Sequence, residues 1–241
     1  MKISLKFKAL IFAALAAGLL FYTNKKTYSP KGISIDKKEF PITGIDISNH
    51  SGKVNFKDLK KENLDFVFLK ATEGNSFKDK SFEKYYENAI ENDFVVGFYH
   101  FYRFDKDPIE QATFFLKQVK SKKHQLPLVI DVEEWGNKIV KPKSEIIDDI
   151  EVFINHIEKE MNLKVMIYTN ESGFKAYVKN RFKENLVWIC SFKKGKKIEG
   201  KWKFWQHSHK GKFKSVQGWV DINTFNGSRV EWNAFLKEIK I

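Results

Sequence analysis

Short apolar runs bounded by turn residues alternate with amphipathic stretches along this chain. That alternation confines it to repeated βα units. Residues 42–48, 65–70, 94–100, 126–132, 164–168, 185–190, 202–206 and 218–222 read as strands. Between them, residues 81–92, 107–119, 144–161 and 172–180 carry helical periodicity. Ser81 is a plausible N-cap for the first of these, and Pro108 suits the first turn of the second. Little length remains for helices between the last strands. Repeated βα units imply a parallel sheet, and eight strands in one domain suggest closure. The expected fold is α/β: an irregular (β/α) TIM-like barrel with eight strands and fewer helices toward the C-terminus.

Three of the runs end in carboxylates. They read Ile42-Thr43-Gly44-Ile45-Asp46-Ile47-Ser48, Leu126-Pro127-Leu128-Val129-Ile130-Asp131-Val132-Glu133 and Trp219-Val220-Asp221-Ile222-Asn223. Side chains alternate along a strand, so Asp131 and Glu133 share a face, with alpha carbons roughly 6.6 Å apart. Any single Asp there serves equally well as an N-cap or an ion-pair partner. The recurrence, with a second acid beside one of them, points instead to a site. In such barrels the reacting groups lie at strand C-terminal ends, and Asp46, Asp131, Glu133 and Asp221 are expected there.

The 241-residue chain is long enough for one large domain after a leader. Lys2, Lys6 and Lys8 precede an uncharged run from Ala9 to Tyr22, and Lys25 and Lys26 follow it. Residues 1–22 therefore read as a signal peptide or an uncleaved signal anchor, with 9–22 as a possible membrane tether. Residues 23–40 read as a polar linker and 41–241 as the barrel. The chain is expected to be exported, to the periplasm, cell envelope or outside, and to work as a monomer. The net charge is +13; five lysines and no acid in residues 1–30 leave +8 on the rest. A basic domain favours polyanions such as anionic wall polymers. The cluster Lys193-Lys194-Gly195-Lys196-Lys197 reads as a solvated loop. No paired Cys/His finger or RNA-binding aromatic motif appears, so nucleic acid is not an expected partner.

The six histidines lack metal-ligand spacing, and no His-Glu-x-x-His occurs. No metal and no cofactor are expected. Ser48 or Ser51 beside His50 does not form a nucleophile elbow. The lone Cys190 sits in an apolar run and reads as a buried thiol.

Several segments, taken in order, resemble glycoside hydrolase family 25 lysozymes of the Chalaropsis type. The opening Gly44-Ile45-Asp46-Ile47-Ser48 followed by Gly52 is similar to that family's first motif. Leu69-Lys70-Ala71-Thr72-Glu73-Gly74 and Gly97-Phe98-Tyr99-His100-Phe101 resemble its second and third. Asp131-Val132-Glu133, Ile167-Tyr168-Thr169-Asn170, Trp205-Gln206 and Val220-Asp221-Ile222-Asn223-Thr224-Phe225 resemble the rest. Together they span about residues 42–227. The resemblance implies cleavage of the β-1,4 bond between N-acetylmuramic acid and N-acetylglucosamine in peptidoglycan glycan strands. It also implies Glu133 as general acid/base, Asp131 beside the reacting N-acetyl group or oxocarbenium-like centre, and Asp46 and Asp221 in support. Tyr99, Tyr168, Trp188 and Trp205 are offered for sugar stacking, each equally suited to plain core. Gln206 and Glu73 are offered as further substrate contacts.

Departures from the family pattern are local. Asn49-His50-Ser51-Gly52 lacks the frequent Gln before Gly, Asn55 and Phe56 stand where Asp and Trp are common, and His207 replaces a Tyr. A wall-binding barrel without activity is the alternative; retention of all four carboxylates favours the enzyme.

Overall fold

A computed structural model describes residues 31–239. The expected leader, its tether and the first part of the linker lie outside the described residues. Among the described residues nine strands form, in the order β1 (Thr43–Ile47), β2 (Phe66–Glu73), β3 (Phe77–Lys78), β4 (Val95–Phe101), β5 (Val129–Asp131), β6 (Met166–Asn170), β7 (Val187–Cys190), β8 (Phe204–Gly211) and β9 (Val220–Phe225). The spatial order is β1-β9-β8-β7-β6-β5-β4-β2, closed by a β1–β2 pairing, with β3 outside against the end of β2. Six α-helical segments accompany them among the described residues: α1 (Phe56–Leu59), α2 (Phe82–Glu91), α3 (Pro108–Val119), α4 (Lys143–Met161), α5 (Glu171–Gly173) and α6 (Arg229–Glu238).

Seven of the eight barrel strands run parallel. The eighth, β9, is antiparallel to both neighbours, β1 and β8. Asp221 is therefore at the beginning of its strand, not at its C-terminal end. The reversal still brings it to the same rim as the C-terminal ends of the others, because Asp221 registers directly against Asp46.

Strand alternation sorts the apolar residues into two cores. Val67, Leu69, Val96, Phe98, Leu128, Ile130, Ile167 and Ile189 point outward and pack under the helices. Phe66, Phe68, Val129, Met166, Trp188, Phe204 and Phe225 fill the barrel, closed below by Trp232 and Phe235 of α6. The inner aromatics need space that only glycine leaves. A Cβ on Gly44 would approach the Phe66 ring to 2.4 Å, and one on Gly97 the Phe68 ring to 2.4 Å.

The helix starts have identifiable causes. Asp107 accepts from the backbone N–H groups of Ile109 and Glu110, and Pro108 follows in the first turn. At α2 the expected Ser81 cap makes no side-chain bond. Buried Asp79 instead braces the turn before the helix, accepting from Ser81 N at 2.9 Å and from Asn49 N at 3.0 Å. The helix expected at 172–180 is the short α5 followed by a π turn, Phe174–Val178. Residues 31–35, from the stretch read as a linker, lie along β8: Ile33 N donates to His207 O and His209 N to Lys31 O.

Candidate active site

The inward alternation of the strands carries Asp46 on β1, Tyr99 on β4, Asp131 on β5, Tyr168 on β6, Trp188 on β7, Gln206 on β8 and Asn223 on β9 to one end of the barrel interior. Glu133 lies two residues past Asp131, just beyond β5.

Asp46 is buried. Its Oδ2 accepts from Gln206 Nε2 at 2.8 Å and from Asn223 Nδ2 at 2.8 Å. Each donor is itself held. Trp188 Nε1 donates to Asn223 Oδ1 at 2.8 Å, and Tyr168 Oη donates to Gln206 Oε1 at 2.7 Å. Two relays thus converge on one carboxylate oxygen. Burial pushes the Asp46 carboxyl up to about 6, against the pull of these two donors.

The other three acids have fewer donors. Asp221 receives only a long contact from Gln206 Nε2, 3.4 Å. Burial, then the Asp46 and Glu133 charges, push it up to about 9. Glu133 Oε2 accepts from Asn170 Nδ2 at 3.2 Å. Burial raises Glu133, and its hydrogen bonds to Asn170 and Asp131 oppose that rise. Asp131 is raised well above the ordinary carboxylate range, by burial first and by Glu133 second, while Lys70 pulls it down. Its Oδ1 is buried without a hydrogen-bond partner. Carboxyls this close cannot all ionise at neutral pH, so the cluster retains protons.

The proposed sugar contacts separate by strand face. Tyr99, Tyr168 and Trp188 face the interior, where Trp188 stacks on Phe68 at 4.5 Å and meets Tyr168 edge-on at 4.6 Å. Trp205 does not join them. Adjacent residues on a strand point to opposite faces, and Gln206 takes the inward one. The Trp205 ring is buried in the outer core against Phe40, Trp202 and His207, its Nε1 donating to Ser191 O at 2.8 Å. Glu73 stands at the end of β2, paired with Lys70 at 2.7 Å and Arg103 at 3.6 Å.

Three polar residues here were not singled out from the sequence as contacts: Lys70, Asn170 and Asn223. All three lie inside motifs quoted above, but only the closed barrel shows that they face the acids. His100 is a core residue instead. It stacks on Phe153 at 5.1 Å, meets Thr72 Oγ1 through Nδ1 at 2.8 Å, and burial pushes it down to about 3. Among the described residues no group of three metal-ligating side chains converges.

A barrel with a buried acid cluster at the rim where its parallel strands end is an arrangement in which glycoside hydrolase chemistry is possible. The chain matches the family described as "Glycosyl hydrolases family 25" over residues 45–216, and it belongs to that family. It is similar to a family 25 glycosyl hydrolase from Bacillus anthracis, with TM-score 0.77 and 32% identity over 86% of this chain and 98% of that one. A bacterial lysozyme from Streptomyces coelicolor superposes with TM-score 0.73 and 27% identity, over 83% of this chain and 98% of that one. In sequence it is 30% identical over 208 residues to the uncharacterized protein YegX of Escherichia coli O157:H7, covering 83% of this chain and 75% of that protein. The autolytic lysozyme of Clostridium acetobutylicum is 28% identical over 77% of this chain and 56% of its own length.

Proposed function

We propose that this glycoside hydrolase is a muramidase that cleaves the β-1,4 bond between N-acetylmuramic acid and N-acetylglucosamine in peptidoglycan. The observation that carries the reading is the unequal treatment of clustered carboxyls. Asp46 accepts two relayed amide donors, which favours the anion. Glu133 has one amide donor and a raised affinity for its proton, which suits a general acid.

In this reading Glu133 protonates the departing glycosidic oxygen, then takes a proton back from the incoming water. Positive charge grows on the ring as the bond breaks, and the Asp46 carboxylate stabilises it. Asp131, hydrogen-bonded to Glu133, supports a role in orienting that acid and facing the 2-acetamido group at the reacting carbon. Asp221 holds a proton beside Asp46 and limits the charge the cluster accumulates. Tyr99 and Tyr168 offer ring faces at the interior wall; Trp205, turned outward, takes no part. Lysozyme-named relatives support the substrate. Export through residues 9–22 follows from the same reading, since the wall lies outside the cytoplasm. Fractionating cells that express the full chain or a version starting at Lys25 tests it.

The deciding experiment is a zymogram on purified peptidoglycan, with the parent beside Glu133→Gln. Lysis by the parent and none by the variant supports the reading. Equal clearing by both overturns the assignment of Glu133, and no clearing by either overturns the activity.

A further inference from the structure

Eight large apolar side chains are well exposed among the described residues, and five of them lie in segments at the acid rim: Phe77, Trp135, Ile139, Val140 and Trp219. The two tryptophans are the most unusual, since Trp135 is 78% and Trp219 51% exposed. Trp135 lies two residues beyond Glu133 in the loop after β5. Trp219 immediately precedes β9, whose start is at the same rim. In the closed order, β5 and β9 are separated by three strands on either side, so the two indoles stand on opposite walls around the acids.

Both are carried by fastened loops. Asn137 clamps the first: its Nδ2 donates to Tyr102 O at 2.9 Å and Glu133 O at 2.8 Å, while its Oδ1 accepts from Phe104 N at 3.0 Å. Arg103 adds a bond to Gly136 O, and Tyr177 Oη donates to Glu134 Oε1 at 2.7 Å. Gly136 has a φ of +74°, a turn conformation that glycine adopts without strain. The second loop is zipped onto the segment after β1. Gly218 N donates to Ser51 O at 2.9 Å, and Gln217 N to Lys53 O at 2.9 Å. Lys212 bridges back to Gln217 O at 2.9 Å and lies 5.5 Å from the Trp219 ring centre.

An indole that is both exposed and rigidly mounted exacts a solvation cost unless a ligand covers it. Among candidate occupants, a pyranose ring fits best: it has an apolar face of C–H groups and a polar rim, and the acids lie between the two platforms. We infer that Trp135 and Trp219 are outer platforms for a β-1,4-linked amino-sugar strand, placed so that a long glycan spans the mouth from wall to wall and is gripped on both sides of the cleaved bond. This inference rests on the muramidase reading for its substrate, and it makes the protein selective for long strands over short fragments.

The test uses the full chain with Trp135→Ala, Trp219→Ala and the double variant. KM is measured on peptide-free glycan strands and on the tetrasaccharide fragment. Losing an apolar platform at each end should raise KM on long strands by about tenfold more than on the tetrasaccharide in the double variant, and by about threefold more in each single one. The Trp→Phe replacements should recover most of the difference, which a merely structural role would not. Val230→Ser, on α6 and equally exposed, serves as the control. An equal KM ratio in parent and double variant overturns the inference. Calorimetric titration of long strands into Glu133→Gln, with and without the tryptophans, separates this from the activity. Tryptophan-dependent binding supports the platforms even where the parent hydrolyses nothing; tryptophan-independent binding, or none, refutes them.

Discussion

Asp46 and Asp221 face each other across the antiparallel β1–β9 pair, register partners whose side chains enter the same rim. Like charges directly opposite on one sheet face are destabilising, so the pair persists by treating its two members differently. Asp46 takes both short amide donors, and Asp221 is left with a 3.4 Å contact. The result is one carboxylate and one carboxylic acid at neutral pH, built from identical residues by their neighbours.

Removing a donor from Asp46 should move the acid side of the pH–activity profile. Asn223→Ala deletes a charge-assisted bond of the kind worth about 1.5–3 kcal/mol, equivalent to about one pH unit or more. The Asp46 pKa, already at about 6, should rise. Activity near pH 6 should then fall by about tenfold and recover substantially by pH 8. A uniform loss at every pH would mean that Asn223 acts only through packing.

Stability should carry the same signature. Asp221 is raised from 3.8 to about 9, so the native state keeps a proton that the unfolded chain gives up. That contribution is complete below pH 3.8 and is lost as pH rises through about 9. Asp46 adds a similar loss that ends near 6. Buried His100, pushed down to about 3, works in the opposite direction until the imidazoles of the unfolded chain lose their protons near 6.5. From about pH 7 to 9 the parent Tm should therefore decline, and Asp221→Asn should flatten the decline. Parallel Tm curves for parent and variant would contradict a protonated Asp221.

The acids were legible in the sequence because strand alternation and motif order both marked them. What escaped was information that only closure supplies. The run at 218–222 looks like any other strand, and nothing local reveals that β9 reverses direction; Asp221 reaches the rim from the opposite end of its strand. For Trp205, equally suited by sequence to stacking or to core, the dipeptide holds the deciding constraint: Gln206 can face inward only if Trp205 faces out, and Trp205 lies in the outer core. Asn170 and Asn223 sit within recognisable motifs, yet their partners are 37 and 177 residues away. The exposure of Trp135 has no sequence signal, since an aromatic after a strand is usually core.

Charge should govern work on whole walls. With +8 on residues 31–241, encounter with anionic wall polymer is screened over about 8 Å at physiological salt. Raising salt from about 0.02 to about 0.5 M should slow wall lysis several-fold while changing far less the turnover of a short glycan fragment, which carries only a few muramic carboxylates. Equal sensitivity on both substrates would remove surface steering as the cause.

Asn170 offers the most selective probe of Glu133. Its amide nitrogen donates to Glu133 Oε2, while its Oδ1 caps α5 by accepting from Gly173 N at 2.9 Å. Asn170→Asp keeps the acceptor and deletes the donor, so the helix start survives. The hydrogen bond from Asn170 favours ionised Glu133; its loss, with a new negative charge alongside, should raise the Glu133 pKa further. Because the proposed mechanism requires protonated Glu133, the alkaline limb of the activity profile should move upward by about one unit. The acid limb, which the proposed mechanism assigns to Asp46, should stay near its parent position, the reverse of the Asn223→Ala result. Thermal melts should place the Tm within a few degrees of the parent, which excludes unfolding as the cause. An alkaline limb that stays in place or moves downward would show that Glu133 does not supply the proton.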